Sequence, residues 1–395
     1  HNGCTGWLPL PPEYATYART LSEAGYRSAA FGKMHLVGTD QLQGFRARPF
    51  GDVHRSFGPI EKPQVDVEDR LNCEVPFKWS DEKEVLRAGV GAYPDTNDRL
   101  AVAALGIHLD SEVTGLWYDR ANRAAPSLLY LGLQNPHYPY LTEEALLRHY
   151  LPRVGLPGTR EPFDHPFLGR SPWLPHGAER DAPLGDRELV RGRAAYYGKV
   201  ESMDARVGET LAMLREAGEE LDEWIIVYAS DHGEMIGEHG IWEKQKFFEE
   251  SVRVPLIVRW PAGLGKGGRV SRVVSLCDLY ATLGELTQTP VPDGLDSRSL
   301  VPLMTPGGDG WPDTAYSFFL QQGYTNALVV SGNLKYHTYA QDERGLMPDV
   351  LFDLEADPGE TRNLADDPAY DAALGQLRGR LAEVGYARTP PEERS

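Results

Sequence analysis

Cysteine is scarce in this chain, and long apolar runs and net positive charge are missing. Only three cysteines occur in 395 residues, and they are too few and too scattered for a disulfide framework. No apolar run approaches the roughly 18 residues of a membrane-spanning helix, so the sequence predicts a soluble protein without a membrane partner. The net charge of −18 at pH 7 argues against nucleic acid as a partner, because two polyanions repel each other.

The most informative segment begins at a short apolar run near residue 230. Trp224–Ser230 is rich in β-branched residues and predicts an interior strand of a parallel sheet. Asp231 and His232 follow it, at the strand end where open α/β sheets bind ligands, and this residue pair can hold a divalent cation. Lys244 follows a glycine-rich turn and is available to an anion. The alternative is an ordinary turn in which Asp231 caps the backbone.

Two other strand-like runs also end in cationic or imidazole side chains. Tyr26–Phe31 leads to Lys33 and His35, and Ser127–Leu133 leads to His137. Strands that finish on the same edge of one sheet bring such groups into one pocket. We therefore expect the three strand ends to form a single site.

The order of strands and helices predicts two structural units. Strands alternate with helices to about residue 300, which is typical of a layered α/β fold. Beyond a Gly/Pro-rich stretch the pattern changes to successive strands and a final helix, which predicts a small α+β subdomain. The predicted domains are 1–304 and 313–395. Further strands are expected at Val254–Trp260, Arg269–Ser275, Thr314–Leu320, Thr325–Ser331, Asn333–Ala340 and Val350–Leu354, with the helix from about Pro368.

Several short motifs occur in one characteristic order. They are Gly32-Lys-Met-His35, Pro136-His-Tyr-Pro139, Ser230-Asp-His-Gly233, Gly240-Ile-Trp-Glu-Lys244 and Leu351-Phe-Asp-Leu-Glu-Ala-Asp-Pro-Gly-Glu-Thr-Arg-Asn363. In this order the chain resembles a sulfatase of the alkaline-phosphatase superfamily, which implies a mixed, mostly parallel sheet between helices. The residues after Gly32 are similar to the choline-sulfatase branch. The Asp-His pair suits that branch and the phosphonate monoester hydrolases.

The resemblance implies a role for each candidate residue. Asp231 and His232 would bind one divalent metal ion, either calcium or, because an imidazole suits transition ions, manganese. Lys244 would hold a sulfuryl oxygen, and His137 would assist the leaving group or bind the same anion. His35 would hydrogen-bond a formylglycine diol and act as the base that regenerates the aldehyde, with Lys33 beside it to keep the diol hydroxyl acidic.

One element of the family pattern is not in the sequence. Sulfatases carry a strand ending in two metal-binding Asp and a Cys-x-Pro-x-Arg motif whose Cys becomes formylglycine, and this sequence has neither. Cys4 lacks the accompanying Pro and Arg. We therefore expect an N-terminally incomplete, inactive chain. A signal region would lie in the missing part, which leaves a cytoplasmic or a periplasmic location open.

The predicted function is hydrolysis of a small-molecule sulfate ester with a divalent metal and a formylglycine nucleophile. Two alternatives stay open at this point. The first is a phosphonate monoester or phosphodiester hydrolase on the same scaffold. The second is a truncated, non-catalytic protein that binds anions through the remaining half of the site. The sequence is silent on oligomeric state.

Overall fold

The computed structural model describes most of the chain. The described residues are 10, 14–36, 40–51, 85, 88–91, 95–114, 125–159, 184–242, 244, 247–264, 267–305, 310–321, 324–338 and 349–386. Every structural statement below refers to them. Cys4 lies outside them.

Helices and strands are interspersed through the first three quarters of the chain. The helices are α1 (Tyr17–Glu23), α2 (Asp95–Thr114), α3 (Glu144–Tyr150), α4 (Asp186–Glu216), α5 (Glu249–Val252), α6 (Pro261–Leu264), α7 (Leu279–Leu286), α8 (Val301–Met304) and α9 (Asp371–Glu383). The strands are β1 (Arg27–Gly32), β2 (Ala47–Phe50), β3 (Gly89–Val90), β4 (Ser127–Gly132), β5 (Leu141–Thr142), β6 (Ile226–Ala229), β7 (Leu256–Arg259), β8 (Thr314–Gln321), β9 (Tyr324–Ser331), β10 (Leu334–Thr338) and β11 (Val350–Asp353).

A three-stranded parallel sheet carries the first two predicted strand ends. Strand β1 lies between β2 and β4, and its register pairs Arg27 with Ser127 and Gly32 with Gly132. The two strands therefore end level with each other. Helices α2 and α4 cover this sheet, because Leu105, Leu109 and Leu214 pack against its buried side chains. The predicted mixed α/β fold is confirmed.

The prediction that the strand before Asp231 is an interior strand of a parallel sheet is wrong. Strand β6 pairs antiparallel with β7, from Ile226 opposite Arg259 to Ala229 opposite Leu256. Its side chains are half-buried, with Ala229 exposed. An apolar, β-branched run is compatible with either strand direction, so the sequence pattern could not distinguish the two pairings.

The C-terminal region forms the antiparallel sheet that the sequence predicts. Its strand order is β11-β10-β9-β8, and Leu374, Leu377 and Leu381 of α9 pack against it. The strand predicted at Arg269–Ser275 is wrong, because within the described range 267–305 no strand is formed there. At Val273 the backbone pairs with side chains instead: its N donates to Asp313 Oδ1 at 2.6 Å, and its O accepts from Trp311 Nε1 at 2.8 Å.

One hydrophobic cluster joins the two predicted units. Met235, Ile241, Phe247 and Phe248 pack against Leu328, Val350 and Phe352 of the C-terminal sheet. The boundary between residues 304 and 313 stays a prediction. No helix in the described part of the chain is long and apolar enough to cross a membrane.

Candidate active site

Lys33 is placed by an unusually close approach of two strand ends. A Cβ on Gly32 would lie 2.2 Å from Gly132 O, and one on Gly132 would lie 1.8 Å from Lys33 O. Only glycine fits either position, and Gly32 also has a φ of +80°. Lys33 N donates to Gly132 O at 2.8 Å. Because both positions are glycine, β1 and β4 can approach closely at their ends, so the residues that follow the two strands lie near each other.

His137 lies in the loop after β4. The buried side chains of Asp98 and Lys199 hydrogen-bond to the backbone of this loop. Asp98 accepts from Gln134 N at 2.5 Å and from Asn135 N at 2.9 Å. Lys199 donates to Pro139 O at 3.0 Å. Burial raises the pKa of Asp98 to about 6 and lowers the pKa of Lys199 to about 7. Both groups act on the backbone on either side of His137.

Asp231 and His232 follow β6 as predicted, and the hydrogen bonds of His232 define its tautomer. Nδ1 lies 2.8 Å from Gly233 O, and a carbonyl oxygen can only accept, so Nδ1 carries the proton. Nε2 is left with a lone pair, 3.8 Å from Asp231 Oδ2. Burial is the main cause of the lowered pKa of His232. The neutral imidazole is the form that binds metals.

Lys33 and Lys244 bring two positive charges to this part of the site. Lys33 Nζ lies 3.3 Å from Asp231 Oδ2. Desolvation raises the pKa of Asp231, but the protonated form of His232 and the charge and hydrogen bond of Lys33 lower it by more, so the net shift of the pKa is downward. Lys244 Nζ lies 3.0 Å from His137 Nε2 and 4.7 Å from the centre of the Tyr138 ring.

His137 is also neutral, with its proton on Nδ1. That nitrogen lies 2.8 Å from Tyr138 O, so it donates to the carbonyl. Nε2 therefore accepts from the Lys244 ammonium. Burial and the charge of Lys244 hold the pKa of His137 well below its usual range. The rings of His137 and His232 are 6.0 Å apart, centre to centre.

Five of the six predicted residues are joined by these contacts: Lys33, Asp231, His232, His137 and Lys244. His35 lies two residues beyond Lys33, with an exposed side chain and a φ of +53°. Two ammonium groups face one carboxylate and two neutral imidazoles, so the cluster is net positive within a chain of net charge −18. Such a site attracts an anion.

The residues present fit two ligands of a metal site. Two donors bound to one ion at roughly 2.0–2.6 Å lie about 3–4 Å apart, and His232 Nε2 and Asp231 Oδ2 are 3.8 Å apart. The side chain of Asp231 is 63% exposed, so its oxygens are accessible. Within the described residues no group of three or more His, Cys, Asp or Glu side chains is placed to hold an ion.

Sequence reasoning missed the residues that support the loop of His137. Asp98 and Lys199 belong to none of the motifs in the sequence. Their partners lie 36 and 60 residues away in the chain, so spacing alone carries no signal for them. The one available hint was a lysine on a helix face that otherwise packs inward.

The fold and the site define an α/β protein in which cationic, imidazole and carboxylate side chains meet where strands β1, β4 and β6 end. Comparison with known proteins supplies the family. The sulfatase family profile matches residues 5–289. A profile described as N-sulphoglucosamine sulphohydrolase, C-terminal, matches residues 237–386. The chain therefore belongs to the sulfatase family, within the alkaline-phosphatase superfamily.

Individual relatives agree with this family. A choline-sulfatase of Rhizobium meliloti is 29% identical over 364 residues, which cover 89% of this chain and 67% of that protein. An arylsulfatase of Clostridium perfringens is 27% identical, covering 92% of this chain and 76% of that protein. The solved phosphonate monoester hydrolase of Agrobacterium radiobacter shares the fold, with a TM-score of 0.70, 24% identity and coverage of 97% and 82%.

Proposed function

We propose that this protein hydrolyses sulfate esters of small molecules. The observation that supports this function best is the contact between Lys244 Nζ and His137 Nε2, 3.0 Å apart, beside the Asp231–His232 pair. It joins an anion-binding ammonium to a group that can take and return a proton. Membership of the sulfatase family, with choline-sulfatase and arylsulfatase relatives, supports the same chemistry.

Asp231 and His232 would hold a divalent metal ion through Oδ2 and Nε2. When bound, such an ion supplies charge that neutralises the sulfuryl oxygens and favours attack on sulfur. The nitrogen ligand favours manganese or a similar ion, and the carboxylate is equally compatible with calcium. Lys33, 3.3 Å from Asp231, would keep this carboxylate ionised and oriented.

Lys244 and His137 would act together on the sulfate group and the leaving oxygen. The neutral His137 has no proton on Nε2 to give, because its proton is on Nδ1 and donated to Tyr138 O. Protonation of the departing alkoxide therefore needs the Lys244 proton, delivered directly or through Nε2. Lys244 would also contact a sulfuryl oxygen, as a point charge suited to a tetrahedral anion.

The nucleophile is the part of the mechanism that rests on resemblance alone. The family uses a formylglycine, and no Cys-x-Pro-x-Arg motif occurs in this sequence. His35 would hydrogen-bond the formylglycine diol and serve as its base. Its exposed imidazole at the end of β1, two residues from Lys33, is compatible with this role.

A phosphonate monoester or phosphodiester hydrolase is the second candidate. The Asp231–His232 pair supports it, because a nitrogen ligand also suits that branch. The deciding experiment measures kcat/KM of the complete enzyme, which includes the expected formylglycine segment, for an aryl sulfate, for choline sulfate and for phenyl phosphonate at equal metal loading. We expect either sulfate to be the better substrate. A reversed preference would move the protein to the phosphonate branch, and binding of sulfate without any turnover would favour the non-catalytic alternative.

A further inference from the structure

A buried ion cluster lies where the C-terminal sheet meets the segment after Lys244. Lys335 of β10 is 0% exposed, and its Nζ lies 2.8 Å from Glu360 Oε1 and 3.0 Å from Glu249 Oε1. Three charged groups from three parts of the chain therefore share one interior position. Burying charge is costly unless it is paired, so such a cluster demands a reason.

The cluster holds the beginning of helix α5. Glu360 Oε2 accepts from Glu249 N at 2.6 Å, which satisfies one of the backbone donors left open at a helix start. Glu360 itself has a φ of +51°, an uncommon conformation for this residue type. Lys335 binds the same carboxylate and the side chain of Glu249. Both the side chain and the backbone of the first residue of α5 are thus fixed by the C-terminal sheet region.

Helix α5 in turn holds the loop that follows His232. Gly233 N donates to Ser251 O, and Glu234 N donates to Glu250 O, each at 2.8 Å. The contact is so close that a Cβ on Gly233 would lie 1.9 Å from Glu250 O. The position of Gly233 therefore depends directly on the position of α5.

Gly233 completes the connection to the site. Its carbonyl oxygen accepts from His232 Nδ1 at 2.8 Å, and this hydrogen bond fixes the tautomer and the orientation of the imidazole. The steps from Lys335 to His232 are hydrogen bonds and ion pairs between named atoms, joined by the backbone of α5 from Glu249 to Ser251. Packing reinforces it, since Phe248 contacts the rings of His337 and Phe352.

We infer that Lys335 and Glu360 are positioning residues, which fix the ring of His232 through helix α5 and the backbone of Gly233. The inference rests on the proposed function only for the role of His232 as a metal ligand. The position of the loop itself is a separate, measurable property. The C-terminal sheet region is accordingly a structural part of the site, although none of its residues is placed in the reaction.

Hydrogen exchange of the chelator-treated protein tests this inference without requiring activity. Glu360→Ala removes the acceptor for Glu249 N, and we expect the Gly233 and Glu234 amides to exchange roughly tenfold or more faster. Glu360→Gln keeps an acceptor oxygen and should restore most of the protection. Arg378→Met is the matched control, because Arg378 of α9 pairs with Asp349, the residue before β11, and with neither Lys335 nor Glu249. It should leave these two amides unchanged.

Titration with Ca²⁺ or Mn²⁺ alone gives the second measurement. Loss of a partner that orients a metal ligand typically lowers affinity roughly 10–100-fold, so Glu360→Ala should weaken binding by about that factor and Arg378→Met should not. If Glu360→Ala does not fold, Lys335→Gln replaces it, with faster exchange expected at the same two amides. Unchanged exchange in the folded variant, or an equal change in Arg378→Met, would overturn the inference. Altered exchange, together with a lack of sulfatase activity in the complete enzyme that includes the expected formylglycine segment, would leave the inference standing while refuting the proposed function.

Discussion

Two lysine–carboxylate groupings in this chain share their chemistry and differ in their surroundings. Lys33 meets Asp231 at the edge of the central sheet, where the Asp231 side chain is 63% exposed. Lys335 meets Glu249 and Glu360 beneath the C-terminal sheet, where the lysine side chain is 0% exposed. The accessible carboxylate can bind a ligand, whereas the buried ones can only hold protein groups. The exposed fraction of these side chains therefore distinguishes the proposed active site from the buried cluster that supports it.

The largest effect should come from breaking the buried grouping. Lys335→Met leaves two carboxylates without their cation in the interior, and breaking a buried pair typically costs about 3–5 kcal/mol. Lys33→Met removes a partner of an exposed carboxylate, for which about 0–1 kcal/mol is typical. Denaturant unfolding of the two variants with the metal chelated measures both values. Equal losses of stability in Lys335→Met and Lys33→Met would contradict the distinction between the buried and the exposed grouping.

A slightly smaller effect, on activity rather than stability, is expected from Lys244→Ala. Removing one group that stabilises charge in a transition state typically lowers kcat roughly 10²–10³-fold. Arg148→Ala is a suitable control, since Arg148 is an exposed cation on α3. Steady-state kinetics on an aryl sulfate, with thermal unfolding as a check on folding, decides the outcome. A wild-type kcat for Lys244→Ala would show that Lys244 takes no part in the reaction.

Much of the site could be predicted from the sequence because its residues follow strand ends. The rule that parallel strands deliver side chains to one edge located Lys33 and His137, and the structure places their strands in exact register. The predicted parallel pairing of β6 was wrong, since an apolar run does not specify strand direction. Lys335 belongs to no motif, and Glu360 belongs to the motif Leu351–Asn363 without any sign in the sequence of what it contacts. Their partners are 86 and 111 residues away, and only the folded chain brings them together.

The smallest effect concerns the pH dependence of stability. Burial raises the pKa of Glu360 from 4.5 to about 7, although Lys335 opposes the shift. The folded state therefore binds this proton more tightly than the unfolded chain does. Its contribution to stability is complete below about pH 4.5 and is lost as the pH rises through about 7.

Glu360→Gln should remove this contribution, which we expect to be about 1–3 kcal/mol. Denaturant unfolding between pH 4.5 and pH 7.5 should show that the stability of the wild type falls relative to the variant over this range. Parallel pH profiles for the two proteins would show that Glu360 titrates normally in the folded state.

The most direct test of the account is the metal content of Asp231→Ala, determined by elemental analysis after purification and dialysis beside the wild type and Arg148→Ala. The account predicts that the wild type and Arg148→Ala retain a divalent ion. Asp231→Ala should lose it together with activity, while its unfolding in the presence of a chelator stays close to that of the wild type. Unchanged metal content in Asp231→Ala would contradict the assignment of the metal site to the end of β6.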